Sequence, residues 1–336
     1  MTVSDVAGTA ARPGGPEDDG LVVFERERRR LFGIAYRMLG TVGDAEDVLQ
    51  DAYVRWHRLG QKRRARLAHP SAYLVRLVTR LCIDAYRSAH ARRLEYVGPW
   101  LPEPLVGDAA DGLVQDPEGM NELADDLSMA FLLLLERLSP VERAVLLLRE
   151  SFGFSYREIA PIVGKTETNC RQIERRARHR LADAGRRRTP VDAEMHERLL
   201  RRFLAATRRG DIDGLLAVLA EDVVSYSDGG GKTIAARRPI FGAARVAAFI
   251  AGIARAALAY GQVAIRMGRV NGLPGLLTFV DGRLYNVVSI EVEDRRIRRI
   301  FIVLNPDKLP ESTDREGASR RAHLTAPGLD NPTESR

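Results

Sequence analysis

The chain has 336 residues, 45% of them hydrophobic, which allows two or three domains with packed cores. No apolar run approaches the ~18 residues of a membrane span. The first twenty residues have neither the cationic start nor the apolar stretch of a secretion signal. Two cysteines, Cys82 and Cys170, are too few and too far apart for a disulfide or zinc framework. These features predict a cytoplasmic protein with no membrane segment, no metal and no cofactor.

The net charge of +7 conceals three blocks of alternating sign. Residues 55–93 contain eleven Lys or Arg against one acid, and residues 101–136 contain nine Asp or Glu and no Lys or Arg. Residues 152–188 contain ten Lys or Arg against four acids. Two basic blocks separated by an acidic one indicate two sites on one long polyanion. Solvated helix faces could give the same counts. The positions of the charges on their helices must therefore decide between solvated faces and binding sites for a polyanion.

Residues 44–56 (DAEDVLQDAYVRW) predict an amphipathic helix, because apolar residues recur at helical spacing from Ala45 to Trp56. Thr41 or Asp44 can cap its N-terminus. The opposite face carries Asp47, Gln50 and Asp51, an acidic surface suited to a basic partner.

A second helix is predicted from Pro70, since proline is favoured in the first turn. The loop before it, GQKRRARLAHP, is strongly cationic. Arginines bind phosphates, and aromatic or guanidinium faces stack on unpaired bases, so this segment predicts a site for a strand drawn out of a duplex. The candidate residues of the loop and helix are Lys62, Arg63, Arg64, Arg66, His69, Tyr73, Arg76, Arg80 and Arg87.

Three helices at residues 141–149, 155–163 and 167–182, with a tight turn at Gly164-Lys165, predict a helix-turn-helix. The last helix would bury Cys170, Ile173, Ala177 and Leu181 and expose a polar face. Arginine can pair with guanine and glutamine with adenine, which favours binding in the major groove. A basic helix packed on its own domain would explain the buried stripe but not the turn. The candidate DNA contacts are Thr168, Arg171, Gln172, Arg175, Arg176 and Arg178, with Arg180 a further phosphate candidate.

Residues 24–187 resemble RNA polymerase sigma factors of the extracytoplasmic-function type. The segments that carry the resemblance are LFGIAYRMLGTVGDAEDVLQDAYVRW, SAYLVRLVTRLCIDAYRS and LERLSPVERAVLLLRESFGFSYREIAPIVGKTETNCRQIERRARHRL. The resemblance implies that Asp44, Asp47, Gln50 and Asp51 bind the polymerase core. It implies that the first basic block melts and binds the −10 element, with the loop at residues 62–69 taking a flipped base, and that the helix-turn-helix binds the −35 element. Glu174 departs from the family, in which this position tends to be small or basic.

After Arg188 the pattern changes to an α+β domain. Helices are predicted at residues 195–209, 213–220 and 243–259, and a strand at 222–226. Four further strands are predicted at 263–270, 276–280, 284–292 and 297–303, with hairpin turns at Asn271-Gly272 and Asp281-Gly282. This domain resembles the SnoaL-like branch of the NTF2-like cone fold.

The segment YSDGGGKT contains glycines followed by Lys-Thr, as a nucleotide-binding phosphate loop does. The spacing is wrong, because Tyr226 stands where the first glycine of that motif belongs. Pro239 would also break the long helix that should follow. We therefore interpret residues 228–232 as a tight turn after a strand, in which glycines permit positive φ.

The whole chain resembles a subgroup of sigma factors with such a C-terminal extension, in which the extension replaces a separate anti-sigma protein. Three marks of the subgroup are WLPEP (Trp100, Leu101, Pro102, Glu103, Pro104), DGGGK (Asp228, Gly229, Gly230, Gly231, Lys232) and NPDKL (Asn305, Pro306, Asp307, Lys308, Leu309). We expect the last two motifs to contact the first, so that the cone fixes the placement of the two DNA-binding domains. The acidic stretch 101–136 would either mask the basic faces or act as a solvated spacer.

Catalysis in the cone is not favoured, because residues 211–309 contain no His or Cys to titrate near neutrality. The candidate carboxylates are Asp222, Asp228 and Asp281. A small ligand in the cone remains an alternative to a purely regulatory contact.

The predicted architecture is multidomain, with two all-α sigma domains followed by an α+β cone. The predicted boundaries are an unstructured tail at 1–20, region 2 at 21–97, an acidic linker at 98–125, region 4 at 126–188, the cone at 195–309 and a second tail at 310–336. The predicted function is promoter-specific initiation with RNA polymerase core, modulated by the cone. The alternative is a ligand-sensing helix-turn-helix regulator that works without polymerase, which leaves the acidic face of residues 44–56 unexplained.

Overall fold

The computed structural model describes residues 19–107, 127–183, 192–257 and 261–310. Most of the two predicted tails, the acidic segment 108–125 and the end of the helix predicted at 243–259 lie outside these ranges. Across them, no helix combines the length and apolar composition that crossing a bilayer requires.

The first helical domain, residues 19–97, consists of four helices that pack around one apolar core. They are α1 (Asp19–Leu39), α2 (Val42–Arg58), α3 (Gln61–Arg64) and α4 (Pro70–Leu94). The Thr41 hydroxyl caps α2 by accepting a hydrogen bond from the Asp44 amide, and Pro70 lies in the first turn of α4. The tail predicted for residues 1–20 is wrong at its end, because Asp19 and Gly20 belong to α1. The Gly20 carbonyl accepts a hydrogen bond from the buried Trp56 indole at 2.7 Å, which fixes this end of the helix.

The second helical domain, residues 127–183, contains the predicted helix-turn-helix. Its helices are α5 (Met129–Leu135), α6 (Pro140–Glu150), α7 (Tyr156–Val163) and α8 (Glu167–Asp183). Reciprocal capping boxes begin α6 and α7, formed by Ser139 with Glu142 and by Ser155 with Glu158. Gly164 ends α7 in the left-handed conformation, with φ of 67°, and produces the sharp turn into α8.

The two helical domains share one hydrophobic core. Buried residues from Phe24 in α1 to Leu181 in α8 form a single cluster, to which α4 and α6 contribute most of their apolar faces. The domains are therefore packed against each other, with α6 and α7 lying on α4.

The cone, residues 192–309, has helices on one face of a twisted six-stranded sheet. The helices are α9 (Ala193–Arg209), α10 (Ile212–Leu216) and α11 (Ala243–Ala257). The strands are β1 (Leu219–Asp228), β2 (Ile240–Phe241), β3 (Val263–Val270), β4 (Leu273–Val280), β5 (Arg283–Glu293) and β6 (Arg296–Val303), in the spatial order β2-β1-β6-β5-β4-β3. β1 pairs with β6 in parallel and the other neighbours are antiparallel. The α+β domain predicted from the sequence is confirmed.

Three local features of the cone differ from the sequence prediction. The helix predicted at 213–220 ends at Leu216, because Leu219 already pairs with Ile297 in the sheet. The short edge strand β2 was not predicted. A third tight turn, at Asp294-Arg295, also has positive φ at both residues (49° and 61°) although neither is glycine. The Asn271-Gly272 and Asp281-Gly282 turns form as predicted, with positive φ throughout.

Candidate nucleic-acid interface and interdomain contacts

Helix α8 presents the polar face predicted from its sequence. Cys170, Ile173, Ala177 and Leu181 are buried against α6 and α7, which turns the opposite face to solvent. That exposed face carries Thr168, Arg171, Gln172, Arg175, Arg176 and Arg178. The Arg171 guanidinium also lies 5.1 Å from the centre of the Tyr156 ring, which orients it. The geometry matches a recognition helix entering the major groove.

Glu174, the departure from the family pattern, does not belong to this exposed face. Its side chain is buried, accepts a hydrogen bond from the Tyr156 hydroxyl and forms an ion pair with Arg178 at 2.6 Å. Arg178 also pairs with Glu150 at 2.7 Å. Two acids therefore already pair with Arg178, one of the residues predicted to contact phosphate.

The charged residues of the basic loop in the first helical domain are exposed except at one position. Lys62, Arg63, Arg66 and His69 lie at the surface, as do Arg76 and Arg87 on α4. The sequence predicts that Arg64 contacts DNA. That prediction is wrong, because the Arg64 side chain is buried. It donates to the carbonyls of Trp56 and His57 and stacks on the Trp56 ring, so it anchors the loop to the domain core. Tyr73 also packs against the Trp56 ring and is half-buried.

Arg80 is predicted to contact DNA, but in this conformation it contacts the second helical domain. Its guanidinium donates to the carbonyls of Pro161 and Ile162 at 3.1 Å each. These are carbonyls in the last turn of α7, where a cation is favoured by the helix dipole. The two DNA-binding domains are thus joined through one of the residues expected to bind the −10 element.

The acidic face of α2 is open to solvent. Asp47, Gln50 and Asp51 are exposed, whereas Asp44 lies at the helix start and accepts a hydrogen bond from the Thr41 hydroxyl at 2.7 Å. Three of the four candidate partner contacts are therefore accessible in the packed conformation.

A buried polar network fastens the two helical domains together. Arg143 of α6 is fully buried, and it donates to the Met38 carbonyl at 2.7 Å and to the Tyr86 hydroxyl at 3.3 Å. It also pairs with Glu136 at 2.9 Å. Arg93, at the end of α4, pairs with the other oxygen of Glu136 and donates to the Leu39 carbonyl. Burial lowers the pKa of Arg93, and the neighbouring Glu136 opposes this shift.

The Asp228 carboxylate is the centre of the contact between the cone and the linker. It is fully buried, and each oxygen accepts two hydrogen bonds. Oδ1 accepts from the Tyr96 hydroxyl at 2.5 Å and the Gly230 amide at 3.1 Å, and Oδ2 accepts from the Leu101 amide and from Lys308, both at 2.8 Å. Burial raises the pKa of the Tyr96 hydroxyl. Burial also lowers the pKa of Lys308, and the ion pair with Asp228 opposes that shift.

The other residues of the three motifs surround this carboxylate. Gly230 and Gly231 have positive φ, and a side chain on Gly230 would collide with Asn305. Asn305 donates to the Tyr96 hydroxyl at 2.7 Å, and the exposed Lys232 pairs with Asp307 at 2.5 Å. The carbonyl of Gly229 accepts from the Lys232 amide, and Pro306 begins the short 3-10 helix that presents Lys308.

The WLPEP segment contacts all three domains. Leu101 packs with Phe301 and Val303 of β6 and with Met129 of α5 in one apolar cluster, which Leu309 borders. Pro102 and Pro104 are buried. The Glu103 amide donates to the Gly40 carbonyl, and its carboxylate accepts from the Val42 amide at 2.8 Å. Burial raises the pKa of Glu103.

A second contact between the cone and the helical part was not predicted. Asn271, in the β3–β4 turn, is fully buried. Its side-chain oxygen accepts a hydrogen bond from the backbone amide of Leu105, and its side-chain NH2 group donates to the Tyr36 hydroxyl at 2.8 Å. The backbone of residues 105–107 adds a short antiparallel bridge beside β3. The Asn-Gly pair signalled only a hairpin turn in the sequence. Tyr36, Arg93, Tyr96, Glu136 and Arg143 were likewise missed as contact residues.

Comparison with known proteins identifies the family of the chain. The Sigma-70 region 2 model matches residues 23–92, and the Sigma-70 region 4 model matches residues 128–181. The chain is 34% identical over 316 residues to the ECF RNA polymerase sigma factor SigJ of Mycobacterium tuberculosis, covering 91% of this chain and 97% of that protein. It is 31% identical over 290 residues to the probable ECF sigma factor SigI of the same organism, covering 85% and 93%.

The crystal structure of Mycobacterium tuberculosis SigJ aligns with a TM-score of 0.66 and 31% identity, over 86% of this chain and 97% of that one. The similarity thus extends through both helical domains and the cone. The chain belongs to the extracytoplasmic-function sigma factors of RNA polymerase.

Proposed function

We propose that this sigma factor directs RNA polymerase core to promoters through two separated DNA contacts and that its cone regulates this activity in cis. The observation that carries the first part is the pair of exposed basic surfaces on different domains, one on the loop before α4 and one on α8. The exposed acidic face of α2 supports a role in binding the polymerase core.

The regulatory part rests on the contact between Asp228 and the linker. A fully buried carboxylate that binds Tyr96, Leu101 and Lys308 joins the cone to the segment between the two DNA-binding domains. Regulation by this contact would make a separate anti-sigma protein unnecessary. We propose no catalytic role for Asp228, because four donors saturate its oxygens and leave none to accept a proton from a substrate.

Transcription with purified core polymerase tests the proposal. Full-length protein, a chain ending after Leu309 and a chain ending near Arg209 are compared for core binding and for open-complex formation at a candidate promoter. We expect all three to bind core through α2 and to differ in open-complex formation. Equal activity of the three would contradict regulation by the cone. DNA binding without any association with core would instead support a regulator that works independently of polymerase.

Substitutions on α2 separate polymerase binding from DNA binding. Asp47→Ala with Asp51→Ala should weaken core association, and Glu46→Ala, also exposed on this helix, is the matched control. Unchanged core affinity in the Asp47 and Asp51 variant would remove α2 from the interface.

A further inference from the structure

Trp100 of the linker contacts two cations that belong to different parts of the protein. The Lys308 ammonium of the cone is 4.4 Å from the centre of the indole ring, and the Arg93 guanidinium of α4 is 3.8 Å from it. Both distances are within the range of a cation–π interaction, for which tryptophan is the best aromatic partner. The ring also lies against Gly40, where an added side chain would collide with it.

The first of these cations, Arg93, is part of the network that holds the two helical domains together. It shares Glu136 with Arg143, and Arg143 bonds to the backbone of α1 and to Tyr86 of α4. The side chains of Arg93 and Arg143 are 9% and 1% exposed. A change in the position of Arg93 therefore alters a buried interdomain contact and not a solvated surface pair.

The second cation, Lys308, is part of the contact that docks the cone. Its ammonium pairs with Asp228 and donates to the Leu101 carbonyl at 2.6 Å. Its side chain is 7% exposed. Burial lowers the pKa values of both Lys308 and Arg93, and the paired carboxylates Asp228 and Glu136 oppose these shifts.

We propose that Trp100 couples cone docking to the packing of the two DNA-binding domains, because its π system binds the docking cation and the interdomain cation at the same time. The proposal specifies the residue through which the regulation suggested above would act, and it rests on that suggestion for its biological meaning. When Lys308 is displaced, Trp100 loses one of the contacts that hold it beside Arg93. The Arg93–Glu136–Arg143 network then loosens, which releases Arg80 from the α7 carbonyls.

The test measures the separation of the domains directly, in the full chain and without polymerase. Spin labels are placed at Ala72→Cys on α4 and Ala182→Cys on α8, both exposed positions, while Cys82 and Cys170 are buried. Trp100 is replaced by tryptophans with increasing numbers of fluorines, which weaken the negative ring face while largely keeping the shape. We expect the equilibrium constant for domain separation to rise with each fluorine and to reach roughly five- to tenfold.

The protein contains a matched control for this series. The chain has two tryptophans, and Trp56 also stacks with an arginine, Arg64, but inside the first helical domain. Fluorination of Trp56 should leave the distance between the labels unchanged. Lys308→Met should separate the domains as the most fluorinated Trp100 does, whereas Lys232→Gln, which breaks only the exposed pair with Asp307, should not.

Two outcomes would overturn the proposal. One is a distance distribution that opens in Trp100→Leu but does not respond to fluorine number, because the ring would then act only by filling space. The other is Lys308→Met releasing the linker amides to hydrogen exchange while the helical domains remain packed. Neither outcome depends on transcription, so failure of this coupling is distinct from failure of the proposed regulation.

Discussion

The replacement Asp228→Asn tests whether the buried carboxylate holds the cone on the linker. Asparagine has nearly the same shape, but its NH2 group would face either the Gly230 amide or the Leu101 amide and Lys308, none of which can accept a hydrogen bond. It also leaves Lys308, whose side chain is 7% exposed, without its counter-charge. Removing one partner of a buried ion pair typically costs about 3–5 kcal/mol. Each 1.36 kcal/mol is a factor of about ten in an equilibrium constant, so cone docking should weaken by a hundredfold or more.

Native-state hydrogen exchange measures this docking free energy. The amides of Leu105 and Gly107 bond to the cone at Asn271 and Arg269 and make no contact with Asp228, so the substitution does not alter their own acceptors. We expect both amides to exchange about a hundredfold faster or more in Asp228→Asn. Exchange within threefold of the wild-type rate would refute the role of the carboxylate.

A control on the same strand distinguishes the loss of a buried charge from the loss of an exposed one. Asp222 of β1 pairs with Arg298 at 2.9 Å, but its side chain is 63% exposed. Asp222→Asn should therefore change docking by less than ~1 kcal/mol. Adding Lys308→Met to Asp228→Asn removes the unpaired charge and should restore part of the protection at Leu105.

Three further predictions concern other contacts of the chain. Asn271→Gly should lower the free energy of unfolding by denaturant by about 1–3 kcal/mol, because it leaves the buried Leu105 amide without an acceptor. Glycine tolerates the positive φ at this position, so the backbone adds no strain. The control Asp281→Gly, in the exposed turn, should lower it by less than ~1 kcal/mol. Arg176→Gln should lower the log–log salt slope of −35 DNA binding by about one, while Arg180→Gln should not, since Glu142 already pairs with Arg180; equal slopes would contradict this. Burial holds the pKa of Glu103 above its ordinary 4.5, so the native state binds more protons there and unfolding free energy falls as pH rises above 4.5. Glu103→Gln should remove the part of this pH-dependent fall in unfolding free energy that Glu103 causes, as measured by unfolding curves at several pH values. An unchanged pH profile would contradict the raised pKa of Glu103.

The helix-turn-helix shows which structural features could be predicted from the local sequence pattern. The 3.6-residue period separates Cys170 and Ala177 from Arg171 and Arg175, and burial in the structure follows that division. The same reasoning could not distinguish Arg64 from its neighbours in the basic loop, because what buries it is the Trp56 ring and two carbonyls from the preceding helix. Sequence also could not show that Arg80 contacts the carbonyls of α7.

The amino-acid sequence by itself determined the order of domains, most element boundaries, the turns and the exposed basic faces, since these depend on periodicity and residue type within a short span. Only the tertiary structure decided which charged groups are buried together. Tyr96, Asp228 and Lys308 meet although 132 and 80 residues separate Asp228 from the other two, and Asn271 reaches Tyr36 across 235 residues. The free energy of a buried charge depends on every group packed around it, and chain separation carries no information about that packing.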